Sequence, residues 1–180
     1  MHVMVVAVLT AMLLLASDAG AQQPAAAAPS AANPLDTVPD KMPFDTPYGA
    51  PIALERATVA ITAAIGEARK HDWKLNIAVV DSGGNLVAFQ RMDGAQLASI
   101  PICEHKARAA VTFRRETKAW ESAIQTNGSH YVMTLDGVIA SRGGIPIVDN
   151  GRIIGAIGCS GGTGSQDEAV CKAGVAALQK

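Results

Sequence analysis

Residues 143–162 read GGIPIVDNGRIIGAIGCSGG, and seven of these twenty are glycine while most of the rest are branched aliphatics. Two aliphatic runs around Asn150-Gly151 suit a hairpin closed by a two-residue type I′ turn. On the second arm, strict alternation puts Ile153, Gly155, Ile157 and Cys159 on one face and Ile154, Ala156, Gly158 and Ser160 on the other. Both faces are apolar, so this arm is expected to be a central strand covered on both sides. Each face also carries a glycine, which weakens a strand and marks close approach of a backbone or a ligand. Both phosphate-binding readings are weak. No Lys or Arg lies between Gly155 and Gly164, as a P-loop would need, and the chain ends too soon after Gly158 for the acidic residue of a dinucleotide fingerprint. The glycines therefore make room, either for a helix packed closely on the sheet or for a ligand. The loop 161–164 is different: it precedes a helix N-terminus, whose free N–H groups could hold a carboxylate.

The rest of the domain supplies a second hairpin and several helices. LNIAVVD (75–81) and LVAFQRM (86–92) flank SGGN, two β-rich runs around a glycine turn. Ala53, Ala57, Ala60, Ala64 and Ala68, beside Leu54, Ile61 and Ile65, give residues 51–70 a helical stripe, with Pro51 suited to its start. Further helices are expected at 101–113, after a possible cap at Ser99, and at 116–124. Ser165 and Glu168 have capping-box spacing, which starts a C-terminal helix there. The order helix, hairpin, helices, hairpin, helix implies an α/β fold, an antiparallel sheet with helices packed on it.

The chain is 180 residues long, 49% hydrophobic, with a net charge of −1. That suits one domain plus extra sequence. It gives no electrostatic footprint for nucleic acid, and 4% aromatic residues offer no platform for stacked bases. The extra sequence is N-terminal. An apolar run from Val3 to Ala16, followed by Ala19-Gly20-Ala21, reads as a signal peptide over 1–21 although the n-region lacks Lys and Arg. Export to the periplasm or medium is therefore expected. Residues 22–43, rich in Ala and Pro, read as a disordered spacer, and the folded domain as 44–180. Cys103, Cys159 and Cys171 match no zinc spacing. An exported protein can hold disulfides, but the favoured expectation is three small buried hydrophobes.

VVDSGGNLVAFQRMDGA (79–95), then Lys106-Ala107 with Phe113 and Thr117, then GGIPIVDNGRIIGAIGCSGGTGSQDE (143–168) resemble the GlcG/HbpS family of haem-binding or "haem-degrading" domains, also found at the C-terminus of PduO-type adenosyltransferases. The resemblance covers nearly all of residues 48–179. It implies a profilin-like α/β sandwich that forms homo-oligomers, and haem or iron binding. With its signal peptide the chain looks like an exported, HbpS-like member. Ala109-Ala110 stand where the family usually has Thr-Ala, and no axial ligand carries over residue by residue.

Candidate site residues follow from side-chain chemistry. Lys106 falls inside the apolar arc of Ile102, Ala109, Ala110 and Phe113, where an unpaired ammonium is costly. It either snorkels at the rim of the core or faces a ligand carboxylate such as a propionate, and the resemblance favours the second. His105 lies on the flank of the same arc; such a histidine is usually structural, yet imidazole is a common haem or metal ligand. Cys103, Glu104 and His105 point about 100° apart on a helix and cannot close on one ion, and Glu104 with Arg108 reads as a surface ion pair. His130 sits in NGSHYVM with Tyr131 and Met133, all residue types that ligate haem. Arg91, Gly144 and Ser165 complete the set as contacts for an anionic cofactor. The leading expectation is an exported haem- or iron-binding protein serving uptake, sequestration or sensing. The alternative is an enzyme acting on a small conjugated acid or a tetrapyrrole such as a corrinoid.

Overall fold

The computed structural model describes residues 36–179; the expected signal peptide and most of the expected spacer lie outside the described residues. Residues 36–43 are exposed, and 41–180 group into one unit. Its elements are helix α1 (Leu54–Lys70), strands β1 (Asn76–Asp81) and β2 (Leu86–Arg91), helices α2 (Ser99–Thr112) and α3 (Lys118–Gln125), strands β3 (Gly144–Asp149) and β4 (Arg152–Ser160), and helix α4 (Gly164–Ala176). The strands form one antiparallel sheet in the order β2-β1-β4-β3. β4 is thus central, as its two apolar faces require.

The alanine stripe of α1 is wholly buried at Ala57, Ala60, Ala64 and Ala68. With α4 it covers one face of the sheet, against Ile77, Val79, Ile147, Ile154 and Ile157. The other face carries α2, whose Ala107, Ala110 and Val111 pack on Val80, Ile153 and Ala156. Strict alternation along β4 fails at one point. Ile147 pairs with Gly155 but Val148 with Ile153, which leaves Ile154 as an extra residue in β4. This bulge turns Ile153 and Ile154 to opposite layers from those alternation assigns.

Both hairpin turns form as their residues direct. Asn150 and Gly151 have φ of 47° and 72°, the paired positive values of a type I′ turn. Asp81 Oδ1 accepts from the backbone N–H of Gly83 and Asn85. Three helix starts differ from expectation. Ile52 N–H donates to Ile154 O at 2.8 Å, so residues 51–53 extend along β4 and α1 begins at Leu54. Ser99 caps nothing: it is the first residue of α2, buried, and its hydroxyl has no partner. The capping box of α4 is Thr163 with Gln166, two residues before the expected Ser165 with Glu168.

The cysteine expectation is corrected. Cys159 of β4 and Cys171 of α4 form a disulfide, while Cys103 is a buried free thiol. Sequence spacing could not show this, because the two meet only when α4 folds back over the sheet.

Candidate ligand-binding site

The glycines in the sheet accommodate a helix. A Cβ on Gly158 would stand 2.0 Å from Cys103 O and 2.6 Å from Ala107 N, and one on Gly144 would stand 2.2 Å from Lys106 O and 2.6 Å from Thr117 Cγ2. The α2 backbone thus lies directly on β3 and β4, with no space between for a ligand. This removes Gly144 from the set of cofactor contacts. Its N–H donates to Thr117 Oγ1 and its carbonyl accepts from Thr117 N–H.

Lys106 is also corrected. Its ammonium is 1% exposed and donates to Asp167 Oδ2 at 2.8 Å and to Cys159 O at 3.2 Å. Asp167 Oδ1 accepts from Gly162 N–H at 3.0 Å. Burial pushes the Asp167 carboxyl above its ordinary range, against the pull of Lys106 and of the loop amides. The charge that α2 sends into the core is therefore met from α4, and no ligand carboxylate is needed there. Asp167 was visible in the QDE motif, but only the tertiary fold aims it at Lys106.

Ser165 lines a shallow cleft with Glu121, Gln125, Ser141, Arg142 and Gly164. Two of the amides at the helix end are taken by its capping box: Thr163 Oγ1 accepts from Gln166 N–H and Gln166 Oε1 accepts from Thr163 N–H, while Ser165 Oγ bonds to Thr163 Oγ1. Beside it Arg142 donates to Glu121 through Nε at 2.9 Å and through its own backbone N–H at 3.1 Å. Glu168 gathers Arg142, Lys118 and Lys172. Hydrogen bonds from Arg142 hold Glu121 below the usual carboxylate range. Burial alone would raise Glu168, but Lys172 and Lys118 outweigh it and hold it low. Sequence reading missed this network because its members come from α3, a loop and α4.

Arg91, at the end of β2, lines a separate cleft with Ile65, Arg69, Lys74, Gln90 and Asp93. It does not join the α2 residues. The expected Glu104–Arg108 pair forms, at 3.5 Å.

The two histidine candidates sit on separate elements. His130 opens a short 3-10 turn, His130–Thr134, that leaves Tyr131, Met133 and Leu135 exposed while Val132 is buried. His105 is exposed on α2, and its Nε2 lies 3.2 Å from the Gly137 carbonyl just beyond that turn. A ring nitrogen that donates to a backbone carbonyl leaves its partner nitrogen with a lone pair, the arrangement of a metal-ligating histidine. Among the described residues no three His, Cys, Asp or Glu side chains group to hold a bare metal ion. A porphyrin iron needs only one or two protein ligands.

Beyond the end of α2 stands an aromatic cluster. Phe113 meets Trp120 edge-on at 5.0 Å between centroids, and the Arg115 guanidinium carbon sits 3.4 Å from the Phe44 ring centroid and 4.4 Å from that of Trp120. The sequence signal, FRRE at 113–116, was available, but the return of Phe44 to cover it was not.

The HbpS-like family of haem-degrading proteins matches residues 52–176. The chain belongs to this family. The GlcG protein of Escherichia coli K12 is 42% identical over 109 residues, 61% of this chain and 81% of that one. The crystal structure of an HbpS double mutant from Streptomyces reticuli superposes with a TM-score of 0.66 at 30% identity, over 84% of this chain and 97% of that chain. A PduOC–haem complex superposes at 0.64 with 24% identity, over 71% and 95%, and shares the fold. HbpS-like membership and the antiparallel sheet with packed helices both agree with the sequence reading.

Proposed function

We propose that this HbpS-like protein is exported and binds haem. The observation that carries the reading is the exposed turn 130–137, with His130, Tyr131, Met133 and Leu135 at its surface and its Gly137 carbonyl 3.2 Å from His105 Nε2 on α2. An exposed apolar patch of this kind marks a binding site, and imidazole, phenol and thioether are the protein's usual ligands to haem iron. His105 or His130 would hold the iron, and the apolar side chains would cover the ring. The bound group would supply its iron chemistry; the chain would supply ligation and an apolar cover. The family name and the haem complex of a protein with the same fold support this reading. Export is supported by the apolar N-terminal run and by the Cys159–Cys171 bond, since disulfides persist in oxidising compartments.

Hemin titration of the purified protein tests the reading. A saturable Soret shift that is altered in His105→Ala or His130→Ala is expected; absence of saturable binding overturns it. Cell fractionation with N-terminal sequencing tests export, with mature protein expected to begin at residue 22 outside the cytoplasm.

A further inference from the structure

Arg115 is a cation whose faces are occupied but whose outer donors are not. Its guanidinium carbon lies close over the rings of Phe44 and Trp120. Its Nε donates to Phe113 O at 3.1 Å. Among the described residues, neither terminal nitrogen has a carboxylate or carbonyl partner, although Arg142, Arg108 and Arg56 all find carboxylates. A second donor in the cluster is equally bare. Trp120 is 6% exposed, and its buried indole N–H has no acceptor. Buried donors are paired in nearly every protein, so one left over calls for an acceptor from elsewhere. The cover is itself under strain: Phe44 holds φ at 60°, where bulky residues are outliers. Helix α3, which carries Trp120, packs against the turn His130–Thr134.

We infer that Arg115 and Trp120, beneath Phe44, form a recognition site for a carboxylate carried on an aromatic or conjugated ring system. The terminal nitrogens of a guanidinium match a carboxylate's two oxygens in a parallel fork. The rings that cover the guanidinium fix its orientation. The ring of the ligand would lie against the aromatic wall that Phe44 and Trp120 already provide. The carboxylate can come from a porphyrin propionate or from a free aromatic acid. The inference thus bears on the haem reading, since the site would hold one edge of the porphyrin, but it does not require it.

The two tryptophans are Trp73 and Trp120, so in a Trp73→Phe background the indole emission reports on Trp120 alone. This protein is titrated with protoporphyrin IX, with its dimethyl ester and with benzoate, each with and without Arg115→Gln. A saturable change in Trp120 emission is expected with protoporphyrin IX or benzoate, weakened about tenfold or more by Arg115→Gln; the ester should bind no better to one than to the other. A response to protoporphyrin IX alone identifies the propionate as the source, and a response to benzoate identifies a free acid. Should Arg115→Gln fail to fold, Arg115→Lys, which keeps the charge and loses the fork, is read in its place with the same sign. If neither acid changes the emission, or if affinity is unaffected by the substitution, the inference is overturned. Because benzoate contains no tetrapyrrole, that arm stands even if hemin fails to bind.

Discussion

Lys106 of α2 and Asp167 of α4 meet at 2.8 Å with side chains 1% and 3% exposed, so the helices on the two faces are joined at the end of β4 by a buried ion pair. Lys106→Met removes one charge and strands the other. A cost of about 3–5 kcal/mol is expected, the usual penalty for breaking such a pair from one side. The pH dependence has a definite sign. Alone in the core, Asp167 has a folded pKa raised by burial above its unfolded value, so the folded state of the variant binds its proton more tightly. The deficit against wild type should narrow as pH falls from neutrality toward the ordinary carboxylate range, because burial already raises Asp167 in wild type and loss of Lys106 raises it further. Thermal melts of both proteins from pH 7 to pH 4 read this; a constant deficit would mean that loss of Lys106 does not change how tightly the folded state holds the Asp167 proton.

The disulfide and the free thiol should separate cleanly by alkylation. Burial pushes the Cys103 thiol up to about 12, so almost no thiolate exists at neutral pH to react. Native protein is expected to take up no iodoacetamide, denatured protein one equivalent, and denatured and reduced protein three, as counted by intact mass. Replacing Cys159 and Cys171 by alanine should lower stability by about 3 kcal/mol, the loop-closure estimate for a link of this span.

Acid should weaken the contact between α3 and α4 selectively. Glu121 and Glu168 both have folded values held below the ordinary carboxylate range by their basic partners. The stability they contribute is present above the unfolded carboxylate value and is lost as pH falls through the folded values. Melting temperature in wild type should therefore drop through the acid range more steeply than in Glu121→Gln, which starts lower at pH 7 and has less to lose. Parallel curves would show that the Arg142 contacts are energetically idle.

Two glycine-to-alanine changes should have opposite signs. Gly66 in α1 has nothing within 4 Å of an added Cβ, and alanine there should stabilise by up to about 1 kcal/mol through helix propensity. Gly158→Ala drives a methyl into the Cys103 carbonyl at 2.0 Å and should cost about 1–3 kcal/mol or more as α2 is forced off the sheet. Denaturant midpoints at constant slope measure both.

Much of the architecture could be read directly because it rests on local chemistry. Asn150-Gly151 dictates its turn, and the alanine stripe of 57–68 dictates a helix pressed against apolar strands. The bulge at Ile154 was hidden, since an inserted residue looks like any other aliphatic in the run. The site was harder for a related reason. Periodicity correctly put Lys106 inside, but the partner that satisfies it lies 61 residues away on another helix. A charge in an apolar arc has two remedies, a ligand or a distant side chain, and one strand of text cannot choose between them. Arg115 shows the reverse: nothing in the run FRRE sets it apart, and only the fold places two rings over it.

The contact of α2 with Gly144 and Gly158 bears on how kinship among such domains should be understood. In this chain both positions must be glycine, because a helix backbone lies against each. That constraint belongs to the scaffold and is indifferent to cargo. The turn 130–137 and the aromatic corner carry no such constraint, so a changed ring or a lost guanidinium there can alter selectivity without disturbing a single strand.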